Sequence, residues 1–145
     1  MTEREKRSLV AREWFDKAEE DIRVASILMK MGAECPTASI GFHAQQGAEK
    51  YLKGLLAFHG IAIPKTHDLE RLVALVPLNI RIRLSLHDQR TLTTYATVTR
   101  YPGDYEPLTV PEARNALAMA RQLRGDICGN IPKNAIPTKC SGRPR

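Results

Sequence analysis

The sequence predicts an all-α fold, an up-and-down bundle of about five helices, four long and one short. Three observations predict it. Apolar residues recur at steps of three and four through most of the 145 residues. Proline and glycine cut these periodic stretches into pieces of helical length. Short connections between the pieces favour antiparallel neighbours.

The first helix is expected over residues 12–31, where Trp14, Ala18, Ile22, Ala25 and Met29 fall on one face. Gly32 supplies a stop. Pro36 suits the first turn of a second helix, because its missing N–H would be unpaired there in any case. That helix runs to about His59 with Ile40, Ala44, Ala48, Tyr51, Leu55 and Phe58 inward, and Gly60 and Pro64 close it. Asp68 is an N-cap for a short third helix carrying Leu69, Leu72, Val73 and Val76, ended by Pro77. A fourth helix is expected from Ile80 to Tyr95 or Ala96. Its start, Ile80-Arg81-Ile82-Arg83-Leu84, alternates like a strand, but no second strand exists to pair with it. Residues 97–108 read as a loop punctuated by Pro102, Gly103 and Pro107. Thr109-Val110-Pro111-Glu112 then spells a capping box for a fifth helix with Ala113, Ala116, Leu117, Ala120, Leu123 and Ile127 inward. Periodicity stops at Gly129, giving one helical domain over residues 1–128 and a disordered basic tail over 129–145.

The net charge of +6 invites a nucleic-acid reading. However, Lys133, Lys139, Arg143 and Arg145 belong to the tail, leaving 18 basic and 16 acidic side chains before it. Charge carried on such a tail is a poor pointer to a specific groove. An aromatic content of 6% argues against a base-stacking platform. There is no apolar run long enough for a membrane span and no secretory leader, so a cytoplasmic protein is expected. Cys35, Cys128 and Cys140 are odd in number and widely spaced, so free thiols are expected rather than a metal site or a disulfide framework. Neither a cofactor nor a metal is anticipated. Phosphate-loop, metalloprotease and serine-hydrolase signatures are absent.

Chemistry concentrates in the second helix. His43, Gln46, Lys50 and Lys53 are spaced by three, four and three, so they share one stripe. As a groove lining, the lysines would meet phosphate oxygens while Gln46 and His43 meet a base or ribose. As a solvated face, Glu49 and Lys53 would form an ordinary ion pair. Both readings stay open. Arg100, in a proline-restricted loop, is either an anion contact or the partner of Asp104 or Glu106. Tyr101 and Tyr105 either stack on a base or pack on the bundle. His67 beside Asp68 reads more simply as part of a helix start than as a catalytic pair.

Taken in order, His43-Ala44-Gln45-Gln46 with Ala48-Glu49-Lys50 and Lys53, then Thr66-His67-Asp68-Leu69, then Thr99-Arg100-Tyr101-Pro102-Gly103 resemble the HEPN family. The resemblance spans roughly residues 12–126. It implies a bundle of about five helices, a homodimer, and binding of a nucleotide or RNA. It also implies a partnership with a small nucleotidyltransferase in a toxin–antitoxin-like pair. On this reading the ligand-binding residues are Arg100, Tyr101, His43, Gln46, Lys50 and Lys53. Some members are metal-independent ribonucleases using an arginine and a histidine separated by four to six residues. Here the corresponding positions hold Tyr105, Glu106 and Pro107, so that motif is not intact. If the chain is nevertheless a ribonuclease, Arg100 would offset charge and His43 or His67 would move the proton. A third reading is a purely structural partner whose apolar face docks a second protein.

Overall fold

The computed structural model describes residues 1–97 and 106–137. Five α-helices stand in this range: α1 (Glu3–Met29), α2 (Thr37–Phe58), α3 (Leu69–Val73), α4 (Leu86–Thr93) and α5 (Val110–Cys128). Among the described residues there is no strand, and the all-α bundle expected from periodicity is the observed architecture. No helix is long and apolar enough to cross a membrane among these residues.

α1 begins nine residues earlier than its apolar stripe suggests. Thr2 and Glu5 form a reciprocal capping box: the Glu5 amide donates to Thr2 Oγ1, and the Thr2 amide donates to Glu5. Its inward face is also rotated. Phe15 is fully buried and Trp14 only partly so, because the buried set is Ala11, Phe15, Ala18, Asp21, Ile22 and Ala25. α1 and α2 form the main seam, and α5 packs on α2 and also touches α1. The core joins Phe15, Ile22, Ile40, Tyr51, Leu52, Leu55, Leu56, Leu92, Leu123 and Ile127.

The fourth helix differs from expectation. Residues 81–85 are not helical, and α4 starts only at Leu86, capped by Ser85, whose hydroxyl accepts from the Asp88 amide. The alternation of Ile80, Ile82 and Leu84 is real: Ile80 and Leu84 are buried, and Ile82 packs against the core. This segment needs no sheet partner because Asp126 of α5 takes its place. One Asp126 oxygen accepts from the Arg83 amide at 3.0 Å and the other from Arg83 Nε at 2.6 Å.

Two further differences lie near the end. Ile131, Ala135 and Ile136 are buried in the core, and Lys133–Ala135 forms a 3-10 turn. The first part of the segment expected to be disordered is therefore packed as far as 137, because isolated isoleucines anchor a chain without helical periodicity. Cys35 is a buried free thiol, whereas Cys128 is disulfide-bonded. Wide spacing along the chain carries no information about spacing in the fold.

Candidate functional site

The polar side of α2 forms two clusters, each built of a histidine, a carboxylate and a lysine. Against α1, Asp21 is buried and bidentate. Its Oδ1 accepts from His43 Nδ1 at 2.8 Å and its Oδ2 from Lys50 Nζ at 2.6 Å. Toward the entry of α3, Glu49 Oε1 accepts from His67 Nδ1 at 2.7 Å and Glu49 Oε2 from Lys53 Nζ at 2.9 Å. Gln45, fully buried, donates to Glu49 Oε1 at 3.2 Å and to the His67 carbonyl at 3.0 Å. Between the clusters Gln46 donates to Gln45 Oε1 at 2.7 Å. Trp14 of α1 lies at the lip of the second cluster, its ring centroid 5.7 Å from Lys53 Nζ.

Burial alone would raise the Glu49 pKa. Hydrogen bonds from Lys53, His67 and Gln45 and the charge of Lys53 outweigh it, so the carboxyl sits below its ordinary value. Glu49 is thus a fixed anion at neutral pH. It holds the His67 ring by Nδ1 and leaves Nε2 without a hydrogen bond among the described residues, on a side chain that is 68% exposed. Asp68, by contrast, caps α3, accepting from the Glu70 amide at 3.0 Å. The partner of His67 is a residue 18 positions earlier rather than its neighbour.

Of the residues singled out in the sequence, His43, Gln46, Lys50 and Lys53 share one side of α2, and His67 joins them from the next connection. Both lysines are already paired with carboxylates, Lys50 with Asp21 and Lys53 with Glu49. With neutral histidines the two clusters carry no net charge, and each protonated histidine adds one positive charge. Arg100 and Tyr101 lie outside the described residues. The stem of their loop does not. Tyr95 and Leu108 both pack on Gly41 of α2, where an added Cβ would stand 2.9 Å from Leu108 and 3.3 Å from Tyr95. Gly41, Gln45 and Glu49 step by four along one helical face. The stem therefore stands about 6 Å along the axis from Gln45 and about 12 Å from Glu49. The end of α4 is tied in as well, since Thr93 Oγ1 accepts from the Leu69 amide at 3.0 Å.

Sequence reasoning missed Asp21 and the role of Gln45. A signal for Asp21 was present: it falls among Ala18, Ile22 and Ala25 on the buried stripe, and a carboxylate there requires a partner. Gln45 carries the same mark, four residues after Gly41 and four before Glu49 on a buried line.

Comparison with known proteins agrees with this architecture. The family model of the HEPN domain matches residues 11–130. A solved structure, that of TT1696 from Thermus thermophilus, aligns with a TM-score of 0.71 at 28% identity, covering 83% of this chain and 98% of that one. No curated protein matches. A five-helix bundle in which the α3 entry and the stem of the α4–α5 connection both meet α2, matched by the family model over most of its length, belongs to the HEPN domain family.

Proposed function

We propose that this HEPN domain binds a phosphate-bearing ligand, a nucleotide or RNA, in the groove between the polar side of α2 and the Arg100 loop. In this reading it works as a homodimer, as one component of a two-component, toxin–antitoxin-like system with a small nucleotidyltransferase. One observation carries the proposal: the stem of the Arg100 loop rests on Gly41, on the same face of α2 as the Gln45–Glu49–His67 cluster. The guanidinium supplies charge that the carboxylate-paired lysines do not, and a planar fork suits phosphate oxygens. His43, Gln46, Lys50 and His67 supply directional hydrogen bonds, and Tyr101 a face for a base.

A second reading rests on the His67–Glu49 pair. A buried carboxylate fixing Nδ1 of an exposed imidazole is the arrangement a general base needs. In metal-independent RNA cleavage, His67 Nε2 would take the proton of a ribose 2′-hydroxyl. Its oxygen then bonds to phosphorus, the P–O5′ bond breaks, and the leaving oxygen takes up a proton. Glu49 would stabilise the imidazolium and Arg100 the charge on phosphate.

One experiment addresses both. Isothermal titration of the full chain with nucleotides and short RNAs should show binding that Arg100→Ala weakens by about tenfold or more. Each RNA sample is then run on a denaturing gel with EDTA present. Intact RNA supports the binding module, while cleavage lost in both Arg100→Ala and His67→Ala supports the enzyme. Equal titration of wild type and Arg100→Ala, or no binding by either, would sink the groove.

A further inference from the structure

Four of the 18 basic side chains that precede the tail line one seam of the bundle. Along the α1–α5 seam, away from the groove described above, runs a second groove of about 410 Å³. Arg23 of α1 and Lys30, the residue that caps its C-terminus, line one wall and Arg121 and Arg124 of α5 the other; Glu19 is the one acid in this lining. Glu19 is already committed. The hydroxyl of buried Tyr51 donates to it, and Arg124 Nη1 contacts its two oxygens at 3.2 and 3.4 Å. Burial, followed by the charge of Glu19, pushes the Tyr51 hydroxyl far above its ordinary pKa, so it remains a donor. Four cations thus face one carboxylate that is fully occupied at the base of the seam.

The cations of the α1 wall are differently placed. Arg23 and Lys30 are exposed and form no ion pair or hydrogen bond with any described residue. They lie seven residues apart, so they project from the same side of α1 about 10 Å apart along the axis. Ile27, 52% exposed, lies between them. Across the seam Arg121 is exposed and reaches over to α1, donating to Ser26 Oγ at 2.8 Å. The α1 side of the seam therefore presents two exposed cations with an apolar side chain between them, and the α5 side reaches across to it through Arg121 and Arg124.

We infer that this α1–α5 seam binds the phosphodiester backbone of single-stranded RNA without reading its sequence. Guanidinium forks meet non-bridging phosphate oxygens in a bidentate manner. The separated cations contact successive phosphates, while Ile27 lies against ribose or a base edge. The scarcity of aromatic side chains leaves charge, rather than stacking, as the source of affinity. An acidic protein segment satisfies arginine equally well, but it does not present the flat, weakly polar face between regularly spaced charges that this lining accommodates.

The test is fluorescence anisotropy of a fluorescein-labelled oligouridine with the full chain over a salt series. Arg23→Gln/Lys30→Gln is compared with Arg23→Lys/Lys30→Arg and with Arg100→Ala. The neutral double variant should bind about tenfold more weakly, with its salt slope reduced by about 1.4, the value for two lost single-strand phosphate contacts. The charge-conserving variant should bind like wild type. Arg100→Ala should lose no more than the share belonging to the α2 groove, which keeps the two sites separable. Since Arg23 and Lys30 are exposed, both double variants should melt as wild type does. The inference is overturned by unchanged affinity and slope in the neutral variant, by no RNA binding at all, or by polyglutamate competing as well as unlabelled oligouridine.

Discussion

Glu49 shows how much one residue can organise. It is buried to 4% side-chain exposure, yet it faces Lys53, His67 and Gln45, and these more than offset the cost of its burial. The sign of its pH effect follows from its lowered pKa. Its contribution is complete above the unfolded value near 4.5 and is lost as pH falls through the lower folded value. Glu49→Gln keeps the shape but leaves Lys53 buried without a counter-charge. It should cost about 3 kcal/mol, roughly 10 °C in Tm, at pH 7. Measured by circular dichroism from pH 7 to pH 3, the gap between variant and wild type should narrow in acid. A constant gap would mean that the Glu49 charge contributes nothing to the fold. Their spacing offers Glu49 and Lys53 as an ion pair on a solvated face, whereas in the fold the pair is buried. The sequence did not disclose His67 as the third member, because that contact crosses 18 residues and depends on where α3 begins.

At the scale of elements, the α1–α2 seam depends on how near the two helix axes come. Gly54 faces Phe15, and an added Cβ would stand 2.5 Å from its Cε1. Gly125, on the exposed side of α5, would meet nothing within 4 Å. The same substitution should therefore act in opposite directions. Gly54→Ala forces the fully buried Phe15 ring aside and should destabilise by about 1–3 kcal/mol. Gly125→Ala should stabilise by roughly 0.5–1 kcal/mol through helix propensity alone. Two melting curves check the pair, and a rise in Tm for Gly54→Ala would show the seam to be looser than described. Helices α1, α2 and α5 are legible from periodicity, and α5 also from its capping box, whereas the capped start of α1 at Thr2 is not. The non-helical segment before α4 was visible as alternation but taken for helix, since its hydrogen-bond partner is a side chain of α5 and not a strand.

At the scale of the whole molecule, the polar side chains gather in two places: the carboxylate-paired histidines on the polar side of α2, and the exposed cations Arg23 and Lys30 beside the α1–α5 seam. A homodimer should reveal itself in multi-angle light scattering as a mass twice the 16.2 kDa of the chain. A monomer at micromolar concentration would remove the dimer from the proposal and leave both grooves standing.

By itself the sequence determined the helical class, the capped ends of α3 and α5, and the gathering of His43, Gln46, Lys50 and Lys53 on one side of α2. All of these depend on local periodicity and on hydrogen bonds spanning a few residues. Only the tertiary structure decided that Asp21 binds His43 and Lys50, that Glu49 holds His67, and that Ile131 and Ile136 close the core. Packing brings together side chains far apart in the chain, and a buried charge takes whichever partner the fold delivers.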